Sequence, residues 1–169
     1  MSYISLHTHT SMGSLLDGMG LTDDYCQYAS EIGMTHLGIS DHGTADNFIN
    51  FQKSCKKFGI APIFGVEFYL VPDITVKVKG EQRNHVLAFA KSEVGLQNIL
   101  KMVSISNIEG FFFRPRISPE ILLQHSEGLI ITTGCSASPL NHEYGVKLFE
   151  DLIDKNPGDV YLEIMPHTH

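Results

Sequence analysis

Tyr3-Ile4-Ser5-Leu6-His7-Thr8-His9-Thr10, followed by Ser14-Leu15-Leu16-Asp17-Gly18, is the stretch from which the rest of the chain can be read. An apolar opening that ends in two imidazoles at i and i+2 predicts a strand whose last residues send His7 and His9 the same way. Two imidazoles so placed suit one metal centre. Asp17, eight residues beyond His9 and held by a turn at Gly18, can return to the same pocket. Paired histidines also occur as solvated polar positions on exposed strands, so the pair takes its meaning from the polar residues at the ends of the later strands.

Working outward, Thr22 is expected to cap a helix with Asp23 and Asp24 at its positive end and Tyr25, Cys26, Ala29 and Ile32 on its apolar face, stopped by Gly33. His36 to Ser40 reads as a buried strand ending at Asp41-His42-Gly43, and a second helix spans about Ala45 to Phe58 before Gly59. A third strand, Ala61 to Val71, carries Glu67 inside an apolar run. A carboxylate there needs a cation or hydrogen-bond donors if it is buried, or else an exposed strand face. Residues 72–83 read as a surface loop. His85 opens a fourth strand through Ala90, as a ligand, a cap or a packed residue, and Ser92 caps a helix running on through Leu96, Ile99, Leu100 and Val103.

Gly110 to Ile117 forms an aromatic and basic loop containing Arg114 and Arg116, and Ser118-Pro119-Glu120 starts a helix. Leu129 to Thr133 is a fifth strand ending at Gly134-Cys135. A last helix, Tyr144 to Lys155, is expected to bury Val146, Phe149, Leu152 and Ile153, and Val160 to Met165 is a sixth strand before Pro166 to His169. Strands alternating with helices predict an α/β fold of parallel βα units, in which active sites gather at the strand C-termini. His9, Asp17, His42 and Cys135 all fall at or after such ends, which favours one shared metal site.

Composition bounds the function. The chain has 169 residues, enough for one domain over 1–169, with 43% hydrophobic residues and nine histidines. A formal net charge of −7 argues against broad electrostatic binding of nucleic acid, so metal ions would have to meet a phosphate substrate. No apolar run reaches the roughly 18 residues of a membrane span and no leader pattern is present, which predicts a soluble cytoplasmic protein. Cys26, Cys55 and Cys135 form no CxxC pair, and an odd count points away from a disulfide framework.

His7-Thr-His9, Asp17-Gly18, Asp41-His42-Gly43, Gly65-Val-Glu67, His85 and Gly134-Cys135 together resemble the polymerase and histidinol phosphatase (PHP) family of metal-dependent phosphoesterases. The segments 84–100, 110–117 and 125–135 are similar to the N-terminal domain of bacterial or phage C-family replicative polymerases, the DNA polymerase III alpha type. The resemblance implies a distorted (βα)7-type barrel holding up to three divalent ions, zinc, manganese or iron. It implies that His7, His9, Asp17, His42, Glu67, His85 and Cys135 are the catalytic metal ligands, with His7, His9, Glu67 and Cys135 facing one centre. Arg114 and Arg116 are expected to contact substrate phosphate.

Two departures from the family pattern stand out. One extra residue separates His9 from Asp17, and the last strand with its Asp-x-His pair has no counterpart before His169, which predicts a barrel truncated before the seventh strand and a weakly active isolated chain. The implied activity is hydrolysis at DNA 3′ ends, of the proofreading 3′-5′ exonuclease type. Its implied partners are DNA and the remainder of the polymerase, in cis or in trans. A catalytically silent metal-binding brace and a histidinol-phosphatase-like enzyme are the alternatives.

Overall fold

The computed structural model describes residues 3–81 and 83–165, so the expectation for His167 and His169 lies outside the described residues. Six strands and five α-helices make a mixed α/β protein of two compact units, residues 1–66 and 67–169.

In the first unit, α1 (Thr22–Glu31) packs on α2 (Phe48–Phe58), and β1 (His36–Ile39) pairs in parallel with the start of β2 (Ala61–Leu70), with Ile39 opposite Phe64. Cys26, Ala29, Phe51 and Cys55 fill the helix contact, with the Cys26 and Cys55 sulfurs 3.5 Å apart. Asp23, in the first turn of α1, accepts hydrogen bonds from Ser54 and from Lys57 Nζ (2.7 Å) on α2. Gly59 ends α2 in the left-handed conformation (φ 73°), the expected stop. The helix starts later than its periodicity suggests because Asn47 is buried, donating to Thr10 Oγ1 (2.9 Å) and Thr22 Oγ1 (3.0 Å). α1 begins at Thr22 itself with Leu21 in the N-cap position, so Thr22 does not cap the helix with its side chain.

The opening stretch forms no regular ladder strand. It does run beside β1, where Gly38 N–H donates to Ser5 O (2.7 Å) and Ser40 N–H to Thr8 O (2.9 Å). Three residues on one side thus face two on the other, a bulge-like mismatch that breaks the ladder and re-aims the neighbouring side chains.

In the second unit, the end of β2 pairs in parallel with the short β4 (Arg116–Ile117), Tyr69 opposite Arg116. β3 (Asn84–Ala90) pairs with β5 (Leu129–Thr132), which pairs in turn with β6 (Val160–Tyr161). The β3–β5 pair is antiparallel, a correction to all-parallel βα units. Between β3 and β5 the chain passes through two helices, α3 (Glu93–Ile108) and α4 (Pro119–Gln124), with β4 between them, so no single crossover fixes a parallel return.

Ser92 caps α3 as expected, its Oγ accepting from Gly95 N–H at 3.2 Å. On α5 (Glu143–Lys155) the buried stripe is Gly145, Leu148, Phe149 and Leu152, the i, i+3, i+4, i+7 set. Val146 and Ile153, expected inside, are 44% and 52% exposed.

Candidate metal centre

The first unit builds its donors around a buried acid that is not itself among the expected ligands. Asp41, 1% exposed at the end of β1, accepts from Thr10 N–H (2.7 Å) and Thr10 Oγ1–H (2.7 Å) on one side and from Ser14 Oγ–H (3.0 Å) on the other. Ser14 Oγ also accepts from the His42 backbone N–H at 3.0 Å. Asp41 thereby pins the residue after His9, the loop carrying Asp17 and the backbone of His42. The loop closes tightly: Gly18 N–H donates to Ser14 O (2.7 Å), and a Cβ on Gly18 would lie 2.4 Å from Thr10 O, so no larger residue fits there. The same is true of Gly13, where a Cβ would meet the Asp41 carboxylate at 2.5 Å.

This scaffold sets the candidate ligands. His7 Nε2 and His9 Nε2 stand 3.2 Å apart with their rings nearly perpendicular (82°). Two imidazole nitrogens about 2.05 Å from one tetrahedral zinc-sized ion would be separated by about 3.3 Å, so the pair is spaced for a shared cation. His9 stacks on His42, centroids 4.4 Å apart, and His42 Nε2 lies 2.8 Å from Asp17 Oδ2. One ligand atom each from His9, Asp17 and His42 lie within 4.8 Å of one another. Asp17 lies in the loop whose ends are joined by the Ser11 N–H to Gly20 O hydrogen bond (3.1 Å), and this loop brings its carboxylate to His42. A cavity of about 540 Å³ borders this set, with His7, His9, Asp17, Tyr25 and Tyr28 among its lining residues.

The second unit contributes Glu67, His85 and Cys135. Glu67 is 1% exposed, and His85 Nδ1 lies 2.7 Å from its Oε1. A carboxylate there is costly to bury alone, and the imidazole supplies one compensating donor. Nδ1 is thus the ring nitrogen that His85 turns toward the carboxylate. Cys135, partly exposed after the left-handed Gly134 (φ 69°), brings its sulfur to 3.7 Å from His85 Nδ1 and accepts from Ala137 N–H at 3.5 Å. Imidazole, carboxylate and thiol together form the mixed donor chemistry that divalent zinc, manganese or iron accepts.

The PHP domain profile matches residues 5–167. The chain belongs to the PHP family. Relatives of this PHP chain include the DNA polymerase III alpha subunits of three bacteria. That of Borreliella burgdorferi is 37% identical over 178 residues, covering 98% of the chain and 15% of the relative. That of Helicobacter pylori is 34% identical over 191 residues, covering 98% and 15%. That of Aquifex aeolicus is 34% identical over 185 residues, covering 98% and 16%. The PHP chain thus spans only 15–16% of the length of these relatives. A crystal structure of a candidate metal-dependent phosphoesterase from Bifidobacterium adolescentis superposes with a TM-score of 0.59 at 11% identity, over 93% of the chain and 76% of that protein. At that identity the likeness speaks for the fold alone.

The two arginines of the aromatic loop part company in the PHP chain. Arg114 is exposed. Arg116 is fully buried, and its guanidinium donates to Gly110 O (2.9 Å), Val76 O (2.9 Å), Ile74 O (2.8 Å) and Glu81 Oε2 (2.7 Å). It is therefore a brace for two loops and not a rim residue awaiting phosphate, a correction to the role expected from sequence. Sequence reasoning also missed Asp41, Thr10 and Ser14. The available signal was an acid directly after the apolar run His36-Leu-Gly-Ile-Ser40, next to a candidate ligand.

Proposed function

We propose that the chain is the metal-dependent phosphoesterase segment of a DNA polymerase III alpha-type protein, acting on DNA 3′ ends. It would release terminal nucleotides in the manner of a 3′-5′ proofreading exonuclease and would not polymerise DNA by itself. The observation that carries the reading is the donor set of the first unit, His9, Asp17 and His42 with ligand atoms within 4.8 Å of one another, in a PHP chain whose relatives include DNA polymerase III alpha subunits. The residues assigned to hold zinc, manganese or iron are His7, His9, Asp17, His42, Glu67, His85 and Cys135. Divalent ions held by these residues would supply water activation and would offset charge on phosphoryl oxygens.

The chain's own residues orient that chemistry. Asp41 holds Thr10 and Ser14, and Ser14 holds the His42 backbone. The cavity beside His7 and His9, with Tyr25 and Tyr28 in its walls, offers aromatic surface to a terminal nucleoside. Among the described residues no helix is long and apolar enough to cross a membrane.

The deciding experiment pairs metal analysis with release of nucleotides from a 3′-labelled single strand, run beside a small phosphomonoester. Bound metal with nucleotide release supports the proposal. Bound metal with no hydrolysis of either substrate indicates a structural brace, and turnover of the monoester alone indicates a small-molecule phosphatase.

A further inference from the structure

Lys79, Arg83 and Arg114 line one cleft of about 380 Å³ together with Gly80 and Phe113. Four features single it out. First, it is basic on an acidic chain: these are three of only 12 Lys and Arg residues at a net charge of −7. Second, among the described residues none of the three cations forms an ion pair, and the nearby carboxylate of Glu81 is committed to Arg116 at 2.7 Å. Third, Phe113 is 63% exposed in a left-handed backbone (φ 59°), a strained conformation for an aromatic residue that is found disproportionately at ligand sites.

The fourth feature is the brace that maintains the strain. Phe112 N–H donates to Arg114 O at 3.1 Å, closing the turn over Phe113. The Phe112 ring lies 5.4 Å from the buried Arg116 guanidinium and meets the Phe113 ring edge-on at 4.7 Å. An exposed ring is thus held beside three cations that have no ion-pair partner among the described residues, by a side chain anchored in the core.

We infer that this cleft binds single-stranded DNA, the cations taking successive backbone phosphates and Phe113 stacking on a base. Cations with an interleaved aromatic are the elements by which proteins hold single strands without reading sequence. Arg83 stands two residues before His85, so its Cα lies no more than about 7 Å from that of a proposed metal ligand. The cleft therefore borders the start of the strand that carries His85. The inference deepens the phosphoesterase reading and rests on it for the identity of the strand.

The test is binding of a fluorescent oligothymidylate to the 169-residue chain, followed by anisotropy in EDTA across a salt series, so that no hydrolysis and no metal enter the readout. Three phosphate contacts give a log–log salt slope of about 2, and each of Lys79→Ala, Arg83→Ala and Arg114→Ala lowers it by about 0.7. Phe113→Ala weakens binding roughly 5- to 150-fold at unchanged slope, and Phe113→Trp restores it. A slope indifferent to all three cation substitutions overturns the inference. Phe113→Ala binding like the parent, or duplex binding as tightly as single strand, overturns the stacking contact. Binding of this pattern in a chain that releases no nucleotides with metal would leave the cleft standing while the phosphoesterase reading fails.

Discussion

Replacing Arg116 by Ala should destabilise the protein severely, although its sequence context suggests a dispensable loop cation. The side chain is 1% exposed, and its four hydrogen bonds join Gly110, Ile74, Val76 and Glu81. Removing one partner of a buried ion pair costs about 3–5 kcal/mol, because the remaining charge and carbonyls lose their donors. Glu81 is 19% exposed and can regain some water, which holds the expectation within that range. For a domain of this size each kcal/mol moves Tm by about 2–4 °C, so Arg116→Ala should melt roughly 6–20 °C lower. Arg116→Lys keeps the charge but not the planar fork and should lose about 1–3 kcal/mol. Arg114→Ala, at an exposed position, should stay within about 0.5 kcal/mol. Urea and thermal melts followed by circular dichroism give all three values. An Arg116→Ala loss below about 1 kcal/mol, or an equal loss in Arg114→Ala, would refute the brace and return Arg116 to the candidates for phosphate contact.

The hydrogen bonds of Lys57 and Ser54 hold the Asp23 carboxyl below its usual range. The resulting stabilisation is complete above the unfolded value near about 3.9 and is lost as pH falls through the lower folded one. Asp23→Asn should therefore melt slightly lower than the parent at neutral pH and converge with it in acid; a Tm gap that persists in acid would exclude this linkage. A thiol reagent should label Cys135 alone in the native protein, because Cys26 and Cys55 are fully buried and the hydrogen bond with Cys26, together with burial, pushes the Cys55 thiol up. Divalent metal should slow that labelling if Cys135 is a ligand, and equal rates with and without metal would remove it from the set. Ser14→Ala, which releases both Asp41 and the His42 backbone, should weaken metal binding about 10- to 100-fold in a chelator competition while leaving the fold intact; unchanged affinity would make Ser14 merely structural.

Local pattern made much of this architecture legible. The stops at Gly33 and Gly59, the Ser92 cap and the apolar runs of β1, β2, β3 and β5 each arise from a few neighbouring residues. Features that depend on distant segments were not legible. The opening stretch misses regular strand pairing because its spacing against Gly38 and Ser40 is three to two, which no periodicity within residues 3–10 reveals. Strand direction is likewise absent from an apolar run, so the antiparallel β3–β5 pair could not be read from either strand. The α5 stripe is offset from the expected one because Gly145, too small to register as apolar pattern, sits where a Cβ would lie 1.9 Å from Pro139 O. Arg114 and Arg116 look equivalent in sequence, and only the carbonyls of residues 74 and 76 distinguish them.

The charge distribution makes a final expectation that separates the cleft from the rest of the surface. A chain at −7 repels a polyanion at long range, while Lys79, Arg83 and Arg114 attract it at contact. Salt acts on the two in opposite senses. At 0.15 M the Debye length is about 8 Å, so added salt relieves the diffuse repulsion and also competes with the phosphate contacts. In the parent chain the contacts dominate, and oligonucleotide binding should weaken as salt rises. In a triple variant with all three cations replaced by Gln, only the repulsion remains, and residual binding through Phe113 and the metal-site donors should hold steady or strengthen with salt. Anisotropy titrations of parent and triple variant between low and physiological salt would read the change of sign. A triple variant whose binding still falls steeply with salt would locate the phosphate contacts elsewhere on the chain.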